Sequence, residues 1–193
     1  MNKDQIIQSI VENYHELPFE CVNDLHLNSE VLNLEKGIQI VREGAYADKV
    51  YYVAEGTARA FYLKDGKDIS DWFAFEHDFI CSINSYFLNI PSPHYIETIE
   101  ASTLLAINRT QVNLLSDRYL AFDRLGKVIV TNTMLRLQQR IVAMQFETAK
   151  QTYENLLSIR PDITQRIPLM HIASYLGITL ETLSRIRSPK YRI

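Results

Sequence analysis

The sequence predicts an α+β chain: an N-terminal β-roll of the jelly-roll type, then one long helix, then a C-terminal helix-turn-helix. Three observations carry that expectation. Between Val31 and Ile107, short apolar runs alternate with turn residues at intervals of about eight to twelve positions, as they do in sandwiches and rolls. From about Arg118 to Glu147 the apolar residues fall at helical spacing instead. Finally, Ile163 to Arg187 holds two short amphipathic runs on either side of Gly177.

The composition suits this plan. With 47% apolar residues in a chain of 193, substantial cores can be buried. Cys21 and Cys81 lie far apart without a CxxC partner, so neither a disulfide framework nor a zinc finger is expected. The start, Met-Asn-Lys-Asp-Gln, lacks a basic stretch followed by an apolar core, and no run is long enough to cross a bilayer. A cytoplasmic protein is expected.

Taken in order, residues 3–17 place Ile6, Ile7, Ile10, Val11 and Tyr14 on one helical face, and Pro18 ends that helix or opens the next. Extended runs follow around Val31 to Val41, broken at Glu35-Lys36-Gly37 and Glu43-Gly44. Val50 to Val53 and Ala58 to Leu63 are strands, and Lys64-Asp65-Gly66-Lys67 is a hairpin turn. Further strands are expected at Ile69 to Phe75, Phe79 to Cys81, Ile96 to Glu100 and Leu104 to Ile107. The long helix carries Leu125, Val128, Ile129, Leu135, Val142 and Phe146 as a stripe near heptad spacing that a small domain alone cannot cover, so it wants a partner, and a homodimer through residues 118–148 is expected. Thr131-Asn132-Thr133 interrupts the stripe, either to fix its register or to reach a ligand. A short helix over Thr152 to Ile159 and a loop at Arg160-Pro161-Asp162 complete the connection, giving expected units of 1–117, 118–148 and 149–193.

In the last unit Leu169, Ile172, Ala173 and Leu176 form the stripe of a first helix opened by Pro168. Gly177 falls where the chain reverses, Thr179 can cap a second helix, and Leu183 and Ile186 turn inward. Glu181, Arg185 and Ser188 then share an outer face, with Leu180, Ser184 and Arg187 beside them. Arg can bond guanine in forked geometry, and Glu can accept from cytosine N4. Charge agrees with duplex DNA as partner. Residues 160–193 hold six Lys and Arg against Asp162 and Glu181, a net +4 on a chain whose total is −3, which leaves −7 for the body.

The ordered series Lys36-Gly37, Glu43-Gly44, Ala47-Asp48, Val50-Tyr51-Tyr52-Val53 and Gly56, followed by the long helix and Ile-Ala-Ser-Tyr-Leu-Gly-Ile-Thr-Leu-Glu-Thr-Leu-Ser-Arg-Ile-Arg, resembles the Crp/Fnr family of bacterial transcription regulators. The resemblance implies a cyclic-nucleotide-binding-like roll, a dimerisation helix, a winged-helix type DNA-binding unit and RNA polymerase as a further partner. It makes Glu181 and Arg185 base readers, with Thr179 and Thr182 near phosphate. Two departures matter. Leu180 stands where the family's cyclic-AMP receptor protein has an arginine, and after Arg187 only Ser-Pro-Lys-Tyr-Arg-Ile remains, so a truncated wing is expected, with Lys190-Tyr191-Arg192 as a basic tail.

Cyclic-AMP-binding members use a Gly-Glu pair and an Arg-Ser/Thr-Ala triplet, whose charges hold the ribose and the phosphate. Here Phe79-Ile80-Cys81-Ser82 and Tyr95-Ile96-Glu97 occupy the matching stretches, so cyclic AMP is not the expected ligand and no cofactor is assigned. Arg59, Trp72, Ser82, Asn84, Tyr86, Tyr95, Thr98 and Asn132 are the candidate lining of a pocket for another small effector; the alternative is a filled roll that binds nothing. The five histidines have no metal-ligand spacing, and no HxH pair with a following Glu, Ser-His-Asp, HExxH or P-loop signature appears. A regulator rather than an enzyme is expected, with a nucleotide sensor that docks on a protein partner as the alternative and a cupin-like metalloenzyme as the remoter one.

Overall fold

The computed structural model describes residues 1–188. The expected wing and the Lys190-Tyr191-Arg192 tail therefore lie outside the described residues. Helix α1 (Lys3–Asn13) starts with a reciprocal capping box in which the Asn2 side chain accepts from the Gln5 amide and Gln5 accepts from Asn2. Pro18, with its fixed φ, opens α2 (Phe19–Leu27).

Eight strands follow: β1 (Ser29–Leu34), β2 (Gln39–Val41), β3 (Lys49–Glu55), β4 (Ala58–Lys64), β5 (Lys67–Ala74), β6 (Phe79–Ile80), β7 (Tyr95–Thr98) and β8 (Ser102–Asn108). They pair antiparallel in two four-stranded sheets, β1-β8-β3-β6 and β2-β7-β4-β5. The β4–β5 hairpin turns through Asp65 and Gly66, both at positive φ, as a two-residue connection of right-twisted strands requires. A short helix not foreseen from the sequence, α3 (Ile83–Leu88), lies between β6 and β7.

Because side chains alternate across a strand, each sheet serves two cores. Tyr51, Val53, Ala58, Ala60, Ile96, Leu104 and Ala106 meet inside the roll. Their neighbours Tyr52, Ala54, Leu105 and Ile107 face outward and pack on α1, α2 and the helices that follow β8. On the other sheet Phe73, Phe75 and Ile99 face outward against the C-terminal helices, burying Tyr153, Ile163, Ile172 and Leu183.

The long helix expected from about Arg118 to Glu147 is present, and a separate helix not foreseen from the sequence precedes it. Helix α4 (Arg109–Arg118) ends where Tyr119 takes extended φ and ψ and donates its hydroxyl to Asp24 (2.8 Å), and α5 (Leu120–Phe146) starts afresh. After α5 come α6 (Ala149–Ile159), with a Thr148–Gln151 capping box, α7 (Ile163–Arg166), α8 (Leu169–Tyr175) and α9 (Leu180–Arg187). No helix among the described residues is long and apolar enough to cross a membrane.

Candidate effector groove and nucleic-acid interface

The turn between α8 and α9 follows from its sequence. Gly177 takes φ +68°, a value that favours glycine, and the Ile178 amide returns to the Ala173 carbonyl (3.0 Å). Thr179 caps α9 by accepting from the Thr182 amide (3.2 Å), and fully buried Leu183 with half-buried Ile186 fixes the helix on α8. Thr179, Leu180, Glu181, Ser184, Arg185 and Arg187 are exposed, with Thr182 half-buried beside them. The first-turn amide and Thr179 hold the Glu181 carboxyl below its usual range, so it is ionised and acceptor-only at neutral pH. Pro168 is the residue before α8 rather than its first turn.

The back of this unit rests on the roll through charged contacts. Arg166 reaches Glu76 (2.5 and 2.9 Å) and Glu100 (2.5 Å), with Asp162 at 3.2 Å. The Ser174 hydroxyl accepts from the Ser70 amide and donates to the Asp68 carbonyl, both at 2.9 Å, so α8 satisfies part of the β5 edge. Arg140 of α5 bonds Asp71 and lies 4.2 Å from the Tyr175 ring centroid.

Between roll and α5 runs a groove of about 1020 Å³. Trp72, Ile80, Cys81, Tyr86 and His94 line it from the roll; Val130, Met134, Leu137 and Ile141 line it from α5. It has room because strand alternation turns Ala58 and Ala60, two small side chains, toward the roll interior. Burial pushes the Cys81 thiol up to about 12 and lowers His94, so both are neutral at pH 7. Trp72 Nε1 and both ring nitrogens of His94 are buried without a hydrogen-bonding partner among the described residues.

Of the eight expected pocket residues, Trp72 and Tyr86 line this groove and six do not. Arg59, between Ala58 and Ala60, points outward by the same alternation; it is 3% exposed and bonds Glu97 (2.8 Å), both oxygens of Asp68 (2.7 and 2.6 Å), Ser70 and His171 Nδ1. Tyr95 also faces out and stacks on Phe61 with centroids 5.1 Å apart. Glu97, expected to repel an anion in the pocket, is committed to Arg59 instead. Ser82 is bonded to Ser92 (2.8 Å), and Thr98 donates to the Glu35 carbonyl (2.7 Å) and accepts from the Ile38 amide (3.0 Å). Asn84 is exposed on α3, and Asn132 is exposed on α5 away from the groove. His94 was missed, although its spacing from Ile96 and Thr98 put it on the inward face. Among the described residues no three His, Cys, Asp or Glu side chains come together as a metal site.

Residues 31–119 match the family described as the cyclic nucleotide-binding domain. The chain also superposes, over 82% of its own length and 82% of the other's, on FixK2 from Bradyrhizobium japonicum, with a TM-score of 0.66 at 20% identity. Its fold is Crp/Fnr-like. Other structures agree with the Crp/Fnr-like fold: the c-di-GMP responsive regulator CLP of Xanthomonas campestris matches at 15% identity with a TM-score of 0.67, covering 88% of this chain and 89% of that one. The catabolite activator protein of Thermus thermophilus matches at 16% identity with a TM-score of 0.57, covering 92% and 84%. No curated protein matches this Crp/Fnr-like chain.

Proposed function

We propose that this Crp/Fnr-like protein is a homodimeric, sequence-specific transcription regulator that binds duplex DNA through α9 and is controlled by a small effector other than cyclic AMP. The observation that carries the reading is α9 itself, an exposed polar face with Glu181, Ser184 and Arg185 backed by buried Leu183. A two-fold dimer through α5 would set two such helices about 34 Å apart, one turn of DNA, and read a roughly palindromic site. Against cyclic AMP stands the charge of the groove. Among the described residues Lys127 is its one Lys or Arg, and Lys127 pairs with Asp123 at 2.7 Å.

Selection of bound duplexes from a random pool at near-physiological salt, with and without cyclic AMP, tests this. A palindromic consensus enriched without nucleotide is expected. Arg185→Ala should weaken that site by about 1–3 kcal/mol and relax base preference, measured by titration at fixed salt. Unchanged affinity would overturn the assignment of α9, and no enrichment under any condition would favour docking on a protein partner.

A further inference from the structure

We infer that the inner end of the groove binds an uncharged, largely apolar molecule whose carbonyl or hydroxyl head is held by Trp72 and His94. The inference rests on the sensor reading of the roll and names the ligand class for it. Three observations carry it. First, a buried indole N–H and a buried imidazole without partners each leave a polar group desolvated and unbonded, a costly arrangement that native interiors rarely keep. His94 is 5% exposed, and Ser92 bonds only its backbone, donating to the carbonyl and accepting from the amide, while Tyr62 meets its ring edge-on at 5.2 Å. The ring is held in place, with its nitrogens left over.

Second, the donors and acceptors define the head group. Trp72 Nε1 can only donate, and a neutral imidazole offers one donor and one acceptor. A carbonyl oxygen satisfies the donors, and a hydroxyl satisfies a donor and the acceptor. Third, charge is excluded from both signs. An anion would enter beside Asp71, which also lines the groove; Lys127 in the lining is paired with Asp123, and Arg59 is committed on the far side of β4. A cation would find His94 neutral and Asp71 already bonded to Arg140. Most of the remaining lining, including Ile80, Tyr86, Ile141 and Val142, is apolar or aromatic and suits a hydrocarbon or aromatic body.

Trp72 is the chain's single tryptophan, so its emission reports directly on this site. The experiment titrates the full-length protein with Prodan, an uncharged naphthalene ketone, and follows the dye's blue shift and energy transfer from Trp72. Expected are saturation with one dye per protomer, displacement by 2-decanone and 1-decanol, and displacement by decanoate at least tenfold weaker. Trp72→Phe and His94→Leu, checked for folding by circular dichroism, should each weaken Prodan by roughly fivefold, the loss of one hydrogen bond. No dye binding, decanoate competing as well as 2-decanone, or full affinity in both folded variants would each overturn the inference. The comparison of competitors needs no variant, so it stands if neither variant folds. Because the readout involves no DNA, failure here leaves the α9 assignment untouched, and failure of duplex binding leaves this result intact.

Discussion

At the residue scale, Gly56 is the position most tightly bound to its identity. It sits at φ +88°, and a Cβ there would lie 2.4 Å from Ser102 Oγ and 2.6 Å from the Ala101 carbonyl. Neither neighbour can yield cheaply, since Ser102 is buried and its hydroxyl is bonded to Thr57 and Glu100. Gly56→Ala should lower stability by about 2–4 kcal/mol in urea unfolding, combining left-handed strain with overpacking. Gly177, also at positive φ, has open space around its missing side chain, so strain acts there without a clash. Sequence alone could see both glycines as turn signals but not the difference between them. Arg59 teaches a similar lesson. An arginine between two alanines in a strand invites assignment to a pocket, yet period-two alternation, applied strictly, sends it to the opposite face from Ala58 and Ala60. The ladder's bulge at Asp71, where Ala60 pairs with Trp72 but Phe61 with Ser70, could not be read from the residues, because only the pairing partner reveals the extra position.

At the element scale, α5 repays a closer look. Of the apolar stripe that the sequence called for, Leu135, Val142 and Phe146 are exposed along α5. Leu125 and Ile129 pack on the roll side with α1 and α2, whereas Val130, Met134, Leu137, Ile141 and Met144 follow one another at alternating steps of four and three. That is heptad spacing, and Val130, Met134, Ile141 and Met144 are exposed in the single chain. Two turns of polar contact keep the helix from rolling: Arg136 bonds Asp78 (2.5 Å) and Arg140 bonds Asp71. The stripe was hard to assign from sequence because α5 packs Leu125 and Ile129 on its own roll, while Val130, Met134, Leu137 and Ile141 both line the groove and continue the heptad series. Met134→Lys should leave the circular dichroism spectrum native while shifting the protein to a monomer in sedimentation, and duplex affinity should fall with it. A dimer that survives Met134→Lys would remove α5 from the interface.

At the scale of the whole molecule, the roll architecture and most strand positions were legible as short runs and turns, while the strand order and the three cores were not. Nor was the docking of the C-terminal helices on the roll, because it depends on side chains from distant segments meeting across the outer face of β5. Two histidines lie in this arrangement, His94 inside the roll and His171 against Arg59. Burial lowers both, and Arg59 adds to the effect at His171. In the unfolded chain both return to about 6.5, so the unfolded state takes up protons first as pH falls. Their contribution to stability is therefore complete above about pH 7.5 and declines through pH 6.5 toward the lower folded values. Urea unfolding at pH 7.5 and 5.5 should show the loss, above the range where Glu76 and its partner Arg166 respond. His94→Leu should flatten the dependence, and an unchanged slope would mean that His94 is solvated or bonded in the folded state.

Asp71 and Trp72 are adjacent residues on one strand, and they look in different directions. Trp72 faces the interior of the roll, while Asp71 holds Arg140, whose guanidinium lies on Tyr175 at the end of α8. One strand thus borders the groove and carries α8. On the proposed reading, a ligand settling against the indole presses on the same strand that carries α8.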